Sequence, residues 1–366
     1  MKKLIIISFF TSCVLPMIAI KTQAQTNNGV NVVTTAVPFL RISPDARASG
    51  MANMGIATAP DANASWYNSS KTIFAQDKAG IAVNYNPWMK NVTQNMYLAT
   101  LSGYYKLDES QALTAGLRYF NMGDIQMIDY NGNSLQTARP HEFSFDLGYA
   151  RKLADKLSLG VALRYIYSNL ATGSLNGVQY KPGNAIAGDI SMYYNGLNKA
   201  GQGWTLGLAL SNLGTKIGYT DNSTQKSYIP ANAGIGAEYT AVIDQDSKIT
   251  FGAEFNKLLV PAAPDSAGMQ DYYQQSVVSS WFKSFGNHNA QVSVGAEYNY
   301  DNTLFVRAGY YNEDANQGGR KYFTAGLGIT YSNVGVNVSY VIPTGSSINP
   351  NPLSNTLRFG LVFNVK

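Results

Sequence analysis

Two histidines, His141 and His288, are the only imidazoles in this chain of 366 residues, and its one cysteine is Cys13. A zinc site needs several Cys, His or carboxylate ligands close together, but both histidines fall in separate predicted loops. A Ser–His–Asp hydrolase around either histidine is the remaining catalytic alternative, although no G-x-S-x-G elbow accompanies them. We therefore predict that the protein is not an enzyme and that it holds no metal and no cofactor.

The charge balance argues against a nucleic-acid partner. Charged residues make up only 13% of the chain, while glycine (34) and tyrosine (25) are abundant. Residues 1–24 hold three lysines and no acid, which leaves 24 basic against 22 acidic side chains elsewhere. No basic stripe of the kind that binds nucleic acid is present.

The N-terminus reads as a secretory signal peptide over residues 1–24. A basic start, Met1-Lys2-Lys3, precedes an apolar stretch from Leu4 to Ile20, and Ala24 offers a small residue for cleavage. A lipobox ending at Cys13 fits less well, because the apolar run continues past it. An exported chain without cysteine indicates a bacterial envelope, and no later stretch has the ~18 apolar residues of a spanning helix.

From about residue 79 onwards, apolar and polar residues alternate with the period of β-strands. We predict fourteen segments of this kind, at 80–88, 96–107, 112–122, 143–153, 157–170, 185–196, 204–215, 230–243, 248–259, 290–300, 304–313, 321–332, 333–343 and 356–366.

Tyrosines mark the ends of the apolar faces of these strands. Aromatic residues that flank an apolar band are typical of the interfacial girdles of outer-membrane barrels. The tyrosines that form this pattern are Tyr85, Tyr119, Tyr149, Tyr167, Tyr194, Tyr239, Tyr298, Tyr310 and Tyr340. A soluble sandwich with tyrosines at its corners is the alternative.

The connections alternate between short polar turns and long loops, as they do in outer-membrane barrels. An even strand number also leaves no unpaired edge in lipid. We predict an all-β fold, a 14-stranded antiparallel transmembrane β-barrel over residues 80–366 in the outer membrane. Its long loops would be extracellular and its short turns periplasmic.

The segment before the barrel, residues 25–79, has a different character. Residues 36–71 are rich in small side chains and lack sustained alternation, and Ala46 to Met54 favour two helical turns. We predict a small hatch or plug inside the lumen, and the residues singled out in it are Pro38, Arg41, Asp45, Arg47 and Asn68.

The predicted inward faces carry a balanced set of charges. Buried charges must be paired with each other, with a plug or with water. The predicted lumen charges are Arg118, Asp146, Arg164, Asp189, Glu238, Glu254, Glu297, Arg307 and Arg358, and plausible partners in the plug are Arg41, Asp45, Arg47 and Asp61. Either a filled barrel that serves as a rigid platform or an ordinary water-filled lumen is consistent with this pattern.

The loop 260–289 combines prolines with an apolar stripe. Val277, Val278, Trp281, Phe282 and Phe285 recur at the spacing of an amphipathic helix. This helix would either fold over the barrel rim or expose an apolar surface to a protein partner, and the Val-rich start also permits a fifteenth strand. The candidate partner-binding residues are Trp281, Phe282, Phe285, Tyr272 and Tyr273.

The run from Thr35 to Ala48, TAVPFLRISPDARA, and its continuation to Thr58 resemble the PorV family of outer-membrane barrels in type IX secretion of Bacteroidota. The hatch followed by fourteen strands is also similar to the wider group of FadL-like transporters. Family members commonly read Trp/Tyr-Asn-Pro-Ala-Lys or -Gly near the end of the hatch, whereas this chain has Tyr67-Asn68-Ser69-Ser70-Lys71. The missing proline keeps a PorQ-like paralogue as an alternative.

The resemblance implies a non-catalytic carrier. Such a barrel binds the C-terminal signal domain of secreted cargo and delivers it from the type IX translocon barrel to a cell-surface sortase. The implied partners are the translocon, the sortase, the C-terminal domains of cargo proteins and outer-membrane lipid. A FadL-like channel for hydrophobic small molecules is the alternative function.

Overall fold

The computed structural model describes residues 33–366 except 89–94, 129–131, 133, 176, 223, 265, 288, 316–317 and 345–355. The predicted signal peptide, residues 1–24, and His288 lie outside the described residues. Among the described residues, no helix has both the length and the apolar character needed to cross a membrane.

Fourteen antiparallel strands of the described chain close into a barrel, and the first of them, Ala79–Pro87, pairs with the last, Leu357–Val365, to complete the ring. Every one of the fourteen predicted segments is confirmed, with its ends within two residues of those predicted. The barrel strands are β1 (Ala79–Pro87), β2 (Met96–Lys106), β3 (Gln111–Met122), β6 (His141–Ala154), β7 (Leu157–Asn169), β10 (Gly183–Asn195), β11 (Gly203–Gly214), β12 (Asn232–Val242), β13 (Ser247–Leu258), β14 (Ala290–Tyr300), β15 (Leu304–Glu313), β16 (Lys321–Tyr331), β17 (Val334–Pro343) and β18 (Leu357–Val365).

The barrel is apolar on its outside and polar on its inside. In β18, Leu357, Phe359 and Leu361 are exposed, whereas Arg358 between them is buried. Other strands place polar side chains such as Asn84 on the buried face. A soluble protein has the opposite arrangement, and an apolar outer band with a polar interior is what a barrel in hydrocarbon requires.

A row of aromatic rings crosses five neighbouring strands on the outside of the barrel. Tyr85, Tyr97 and Tyr119 follow one another with ring centroids 5.4 and 6.3 Å apart. The ring of His141 continues the row, 6.2 Å from Tyr119 and 6.0 Å from Tyr167. Such a row matches the predicted interfacial girdle, and it places His141 among aromatic rings.

The two ends of the barrel differ, and we call them the short-turn end and the long-loop end. Connections such as 155–156 and 301–303 form the short-turn end, and 123–140, 170–182, 215–231 and 259–289 belong to the long-loop end. The first two of these long loops contain hairpins that the sequence analysis missed. The hairpins are β4 (Ile125–Ile128) with β5 (Ser134–Ala138), and β8 (Gly173–Leu175) with β9 (Val178–Tyr180).

The loop 259–289 forms helices where a fifteenth strand was the alternative. Its described residues fold into Ser266–Gly268, Met269–Gln274, Val277–Lys283 and Ser284–Gly286, and none of them is a strand. Ser276 begins the helix Val277–Lys283, because its side chain accepts a hydrogen bond from the amide of Ser279. The even strand number of the barrel is therefore retained.

Residues 36–75 form short helical turns whose side chains are mostly buried against the inward faces of the strands. These turns are Pro38–Arg41, Ala46–Gly50, Ala64–Trp66 and Ser69–Phe74. The predicted helix from Ala46 to Met54 was too long, because the helix ends at Gly50. Ala52 and Asn53 adopt positive φ angles of 57° and 66°, which end the helix early. We call residues 36–75 the plug.

The plug approaches the wall so closely that only glycine fits at several positions. A Cβ atom at Gly116 would lie 2.4 Å from the indole ring of Trp66. We expect Gly116→Ala to lower the free energy of unfolding in detergent micelles by about 1–3 kcal/mol because of this overlap. Thermal or urea unfolding followed by tryptophan fluorescence measures the effect.

Gly335→Ala is the matched control. Gly335 also faces inward from a barrel strand, but its Cβ would meet nothing closer than Thr330 Oγ1 at 3.4 Å. Equal destabilisation by the two substitutions would contradict the tight contact between plug and wall.

Candidate functional site

Backbone groups of the plug form hydrogen bonds with polar side chains of the wall. The carboxylate of Glu254 accepts from the amides of Gly55 and Ile56, both at 2.8 Å. Three strands away, the hydroxyl of Thr324 in β16 accepts from the amide of Ala52 at 3.0 Å. Across the barrel from Thr324, the hydroxyl of Ser158 in β7 donates to the carbonyl of Ser70 at 2.7 Å. Since β16 and β7 lie on opposite sides of the barrel, these bonds fix the plug across the lumen.

The end of the plug is held by Asn68 and Lys71. Asn68 Nδ2 donates to the carbonyls of Ile56 in the plug and Met192 in β10, each at 2.9 Å. The amine of Lys71 donates to the carbonyl of Gly55 and the hydroxyl of Thr58, each at 2.8 Å. Burial lowers the pKa of the Lys71 amine.

Two plug arginines pair with carboxylates of the wall, as the sequence analysis predicted for plug charges in general. Arg47 lies 3.5 Å from Glu297, which also accepts from Arg307 at 2.6 Å. Arg41 lies 3.5 Å from Glu313, and Pro38 begins the helical turn that carries Arg41. The plug therefore supplies positive charge to the lumen.

The two plug acids have other roles than the predicted pairing with wall charges. The carboxylate of Asp45 caps the helix Ala46–Gly50 by accepting from the amides of Arg47 and Ala48. Burial raises the pKa of Asp45 to about 6, and the nearby Asp61 adds to the shift. Asp61 itself pairs with Arg47 at 2.9 Å, inside the plug. Among the described residues neither acid forms an ion pair with the wall, and Asp45 attracts the wall arginines Arg307 and Arg358 only at longer range.

The wall also holds charges that do not depend on the plug. Arg164 forms ion pairs with Asp146 and Asp189 from neighbouring strands. Glu238 is also buried on the inward face, but the positive charges that attract it, Arg47 and Lys71, belong to the plug. These residues therefore face the lumen, as the alternation of the strands predicted.

Arg118 and Arg358 differ from the other lumen arginines, because neither forms an ion pair within the described residues. Arg118 donates to the carbonyl of Leu40 at 3.1 Å and lies 4.4 Å from the ring of Trp66. Arg358 donates to the carbonyl of Ser43 at 3.2 Å and to the hydroxyl of Ser49. Both therefore touch the plug through neutral groups.

The sequence analysis missed Glu313, Arg320 and Lys71. Glu313 ends β15 and is fully buried, and Arg320 pairs with it at 2.5 Å from the following loop. Alternation along β15 would have placed Glu313 on the inward face together with Arg307, but its position at a predicted strand end concealed it. Lys71 follows no sequence pattern that signals burial.

At the long-loop end, Lys216 fixes the helical loop 259–289. Its amine donates to the carbonyls of Tyr273 and Gln275, both at 2.9 Å, and to that of Tyr272 at 3.3 Å. The same amine lies 4.1 Å from the ring of Tyr228. A cation at the C-terminal end of the helix Met269–Gln274 satisfies carbonyls that the helix itself leaves unpaired.

The helix Val277–Lys283 turns a polar edge inward and an apolar edge outward. Ser280 and Ser284 are buried, whereas Val278, Phe282 and Phe285 are 55, 72 and 59% exposed. Among the described residues, these three side chains form a continuous apolar edge at the spacing i, i+4 and i+7. We call Val278, Phe282 and Phe285 the exposed stripe.

The other candidate partner-binding residues lie beneath or beside the exposed stripe. Tyr272 is buried, and Tyr273 and Trp281 are half-buried. The ring of Tyr272 packs edge-on against Tyr228 with centroids 5.1 Å apart. Tyr272 thus supports the loop, and Phe282 and Phe285 are the aromatic residues available to a partner.

Among the described residues, no group of three or more His, Cys, Asp or Glu side chains could hold a metal ion. The exposed stripe can bind an apolar partner surface, and the plugged interior can hold charged groups.

Comparisons with known proteins identify relatives of this arrangement. A sequence profile of the family described as "Type IX secretion system protein PorV" matches residues 23–265. A comparison with curated proteins finds no match.

Solved structures of the same fold are FadL-like outer-membrane barrels. The CymD monoaromatic hydrocarbon channel has 11% identity and a TM-score of 0.57, with 92% of this chain and 98% of that chain covered. The Ralstonia pickettii toluene transporter TbuX has 12% identity and a TM-score of 0.54, with 87% and 97% covered. A Pseudomonas aeruginosa FadL homologue has 10% identity and a TM-score of 0.50, with 88% and 98% covered. At these identities the likeness concerns the fold alone.

The role of Lys216 predicts that its loss frees the helical loop. Lys216→Met removes hydrogen bonds from a charged donor. A hydrogen bond of this kind contributes about 1.5–3 kcal/mol to stability. We expect amide protection across 269–284 to fall about tenfold or more, measured by hydrogen exchange in micelles. Lys199→Met, at an exposed turn of the short-turn end, is the control and should leave the loop protected.

Proposed function

Because this chain belongs to the family of type IX secretion system protein PorV, we propose that it is a non-catalytic carrier of secreted proteins. It binds the C-terminal signal domain of cargo leaving the translocon barrel and delivers it to the cell-surface sortase. The chain is an outer-membrane β-barrel of this secretion system. The cargo-binding step, the sortase and the order of delivery are the proposed part.

The exposure of the apolar stripe is the main structural support for this proposal. Val278 and Phe282 project from the helix Val277–Lys283, and Phe285 projects from the turn that follows it. Lys216 holds the chain directly before this helix through the carbonyls of Tyr273 and Gln275. Exposed aromatic anchors dominate the energies of protein interfaces. A surface that is already rigid loses little conformational entropy when a partner binds.

The filled interior supports a carrier over a conduit. A FadL-like channel for hydrophobic small molecules needs an apolar route past the plug, and the fold of the structural neighbours favours it. Here the plug is hydrogen-bonded to opposite sides of the wall, at Thr324 and Ser158. The lumen is lined by charged residues such as Arg118 and Glu254. A platform that presents its loops to a protein partner fits these contacts better.

Removing the exposed stripe should release cargo. We expect the double substitution Val278→Ser and Phe282→Ser to weaken binding of a cargo C-terminal domain by about 2 kcal/mol or more, roughly thirtyfold or more. Because both side chains are exposed, the barrel should fold as before. Pull-down of tagged protein from cells, with quantification of co-purified cargo, measures the loss.

Tyr331→Ser is the control for this experiment. Tyr331 is 84% exposed and lies at the short-turn end of β16. It should keep wild-type cargo binding. If the double variant bound cargo as well as the wild type does, the exposed stripe would not be the cargo-binding surface.

The orientation of the barrel is a separate prediction. We place the long loops outside the cell, so a cysteine at Ser174 in the hairpin β8–β9 should react with a membrane-impermeant maleimide on intact cells. A cysteine at Asp155, in a short turn, should react only after the cells are lysed. Cys13, in the predicted signal peptide, is the only native cysteine of the chain, which keeps the background low. The reverse labelling pattern would contradict this orientation.

A further inference from the structure

A cavity of about 120 Å³ lies inside the barrel between the plug and the long-loop end. Plug residues 40–44 line one side of it, and the long-loop ends of several strands line the other. Its most unusual feature is its charge, because four arginines contribute to the lining: Arg41, Arg118, Arg320 and Arg358.

The carboxylates near this cavity are already occupied. Glu254 is the only acid among the described lining residues, and it accepts from two plug amides and from Asn256. Glu313 is not one of the lining residues, and it pairs with two that are, Arg41 and Arg320. Arg118 and Arg358 form no ion pair among the described residues. The carboxylates that attract them, Asp146 and Asp45, already bind Arg164 and two plug amides respectively.

Arg118 and Arg358 are also incompletely hydrogen-bonded. Arg118 is 3% exposed and Arg358 is 1% exposed. The Nε atom of each has no hydrogen-bond partner within the described structure. A buried guanidinium without a counter-ion is unfavourable. A planar guanidinium offers paired donors to a carboxylate or phosphate oxygen, and an anion in the cavity would supply the ion pair that neither arginine has.

Neutral groups around the arginines suit the same ligand. Asn212, Asn232 and Gln291 bring side-chain amides to the lining, and Trp66 and Trp88 bring aromatic rings. The space accommodates one small oxyanion with water around it, and it is far too small for a folded domain. A group that enters it must be a free ion or the narrow end of a longer molecule.

We propose that this cavity is an oxyanion-binding site that takes one carboxylate or phosphate group. The ligand is either a free oxyanion or the terminal carboxylate of an extended polypeptide that enters from the long-loop end. Arg118 and Arg358 hold the charge, and Arg320 contributes from the rim. The site does not involve the exposed stripe, so failure of this inference and failure of the proposed carrier surface are distinguishable.

Binding is measured on the purified full-length mature protein in detergent micelles. The probes are sodium phosphate, the neutral peptide N-acetyl-Gly-Val-Val with a free carboxylate, and the same peptide as its C-terminal amide. Because Trp66 and Trp88 line the cavity, tryptophan fluorescence reports occupancy, and a thermal shift provides an independent readout. We expect phosphate or the free-acid peptide to bind and the amide to show no binding. Tighter binding of the free acid than of phosphate identifies a polypeptide terminus as the preferred source.

Substitutions assign the binding to the arginines. Arg358→Gln should weaken binding of the bound probe by about tenfold or more. Because Arg358 also bonds the plug, Arg320→Gln is the second variant, since its side chain is partly exposed at 27%, and it should weaken binding in the same direction. Arg139→Gln removes the same charge from an exposed loop position and should bind as the wild type does.

Three results would overturn the assignment of this cavity. The first is that neither phosphate nor the free-acid peptide binds at millimolar concentration. The second is that the peptide amide binds as tightly as the free acid. The third is that the Arg358 and Arg320 variants fold and retain wild-type affinity.

Discussion

The barrel encloses charges that lipid cannot solvate, and the plug supplies partners for many of them. Arg47 carries positive charge to Glu297, while Glu254 receives two amides from the plug backbone. Without these partners, buried carboxylates would remain desolvated and unpaired, which is strongly unfavourable. The polar interior and the small-residue segment that fills it therefore depend on each other, and neither is stable in this form alone.

The plug fills the barrel, and both proposed binding surfaces are at its long-loop end. Lys216 holds the helical loop against the wall, so Phe282 projects from a fixed position. The arginine-lined cavity lies beneath the same end, and there the proposed ligand is recognised by its negative charge. One surface offers apolar contact and the other offers counter-charge, and the proposed carrier role gives the apolar surface a protein partner.

The sequence predicted the strands well, because an inside and an outside of opposite polarity impose strict alternation on every barrel strand. It also predicted that Arg47 would find a lumen carboxylate, since a buried charge requires one. It did not reveal the cap formed by Asp45, the burial of Glu313 or the bonds of Lys216. Each of these depends on which residues meet in three dimensions, and short hairpins such as β4–β5 are too brief to leave a periodic signal.

Photo-crosslinking in living cells tests the central claim most directly. A photoreactive amino acid at position 282, in the exposed stripe, should form crosslinks to the C-terminal domains of secreted proteins. The same group at position 331, at the short-turn end, should capture none of them. Crosslinks to cargo from position 331 but not from position 282 would contradict the account.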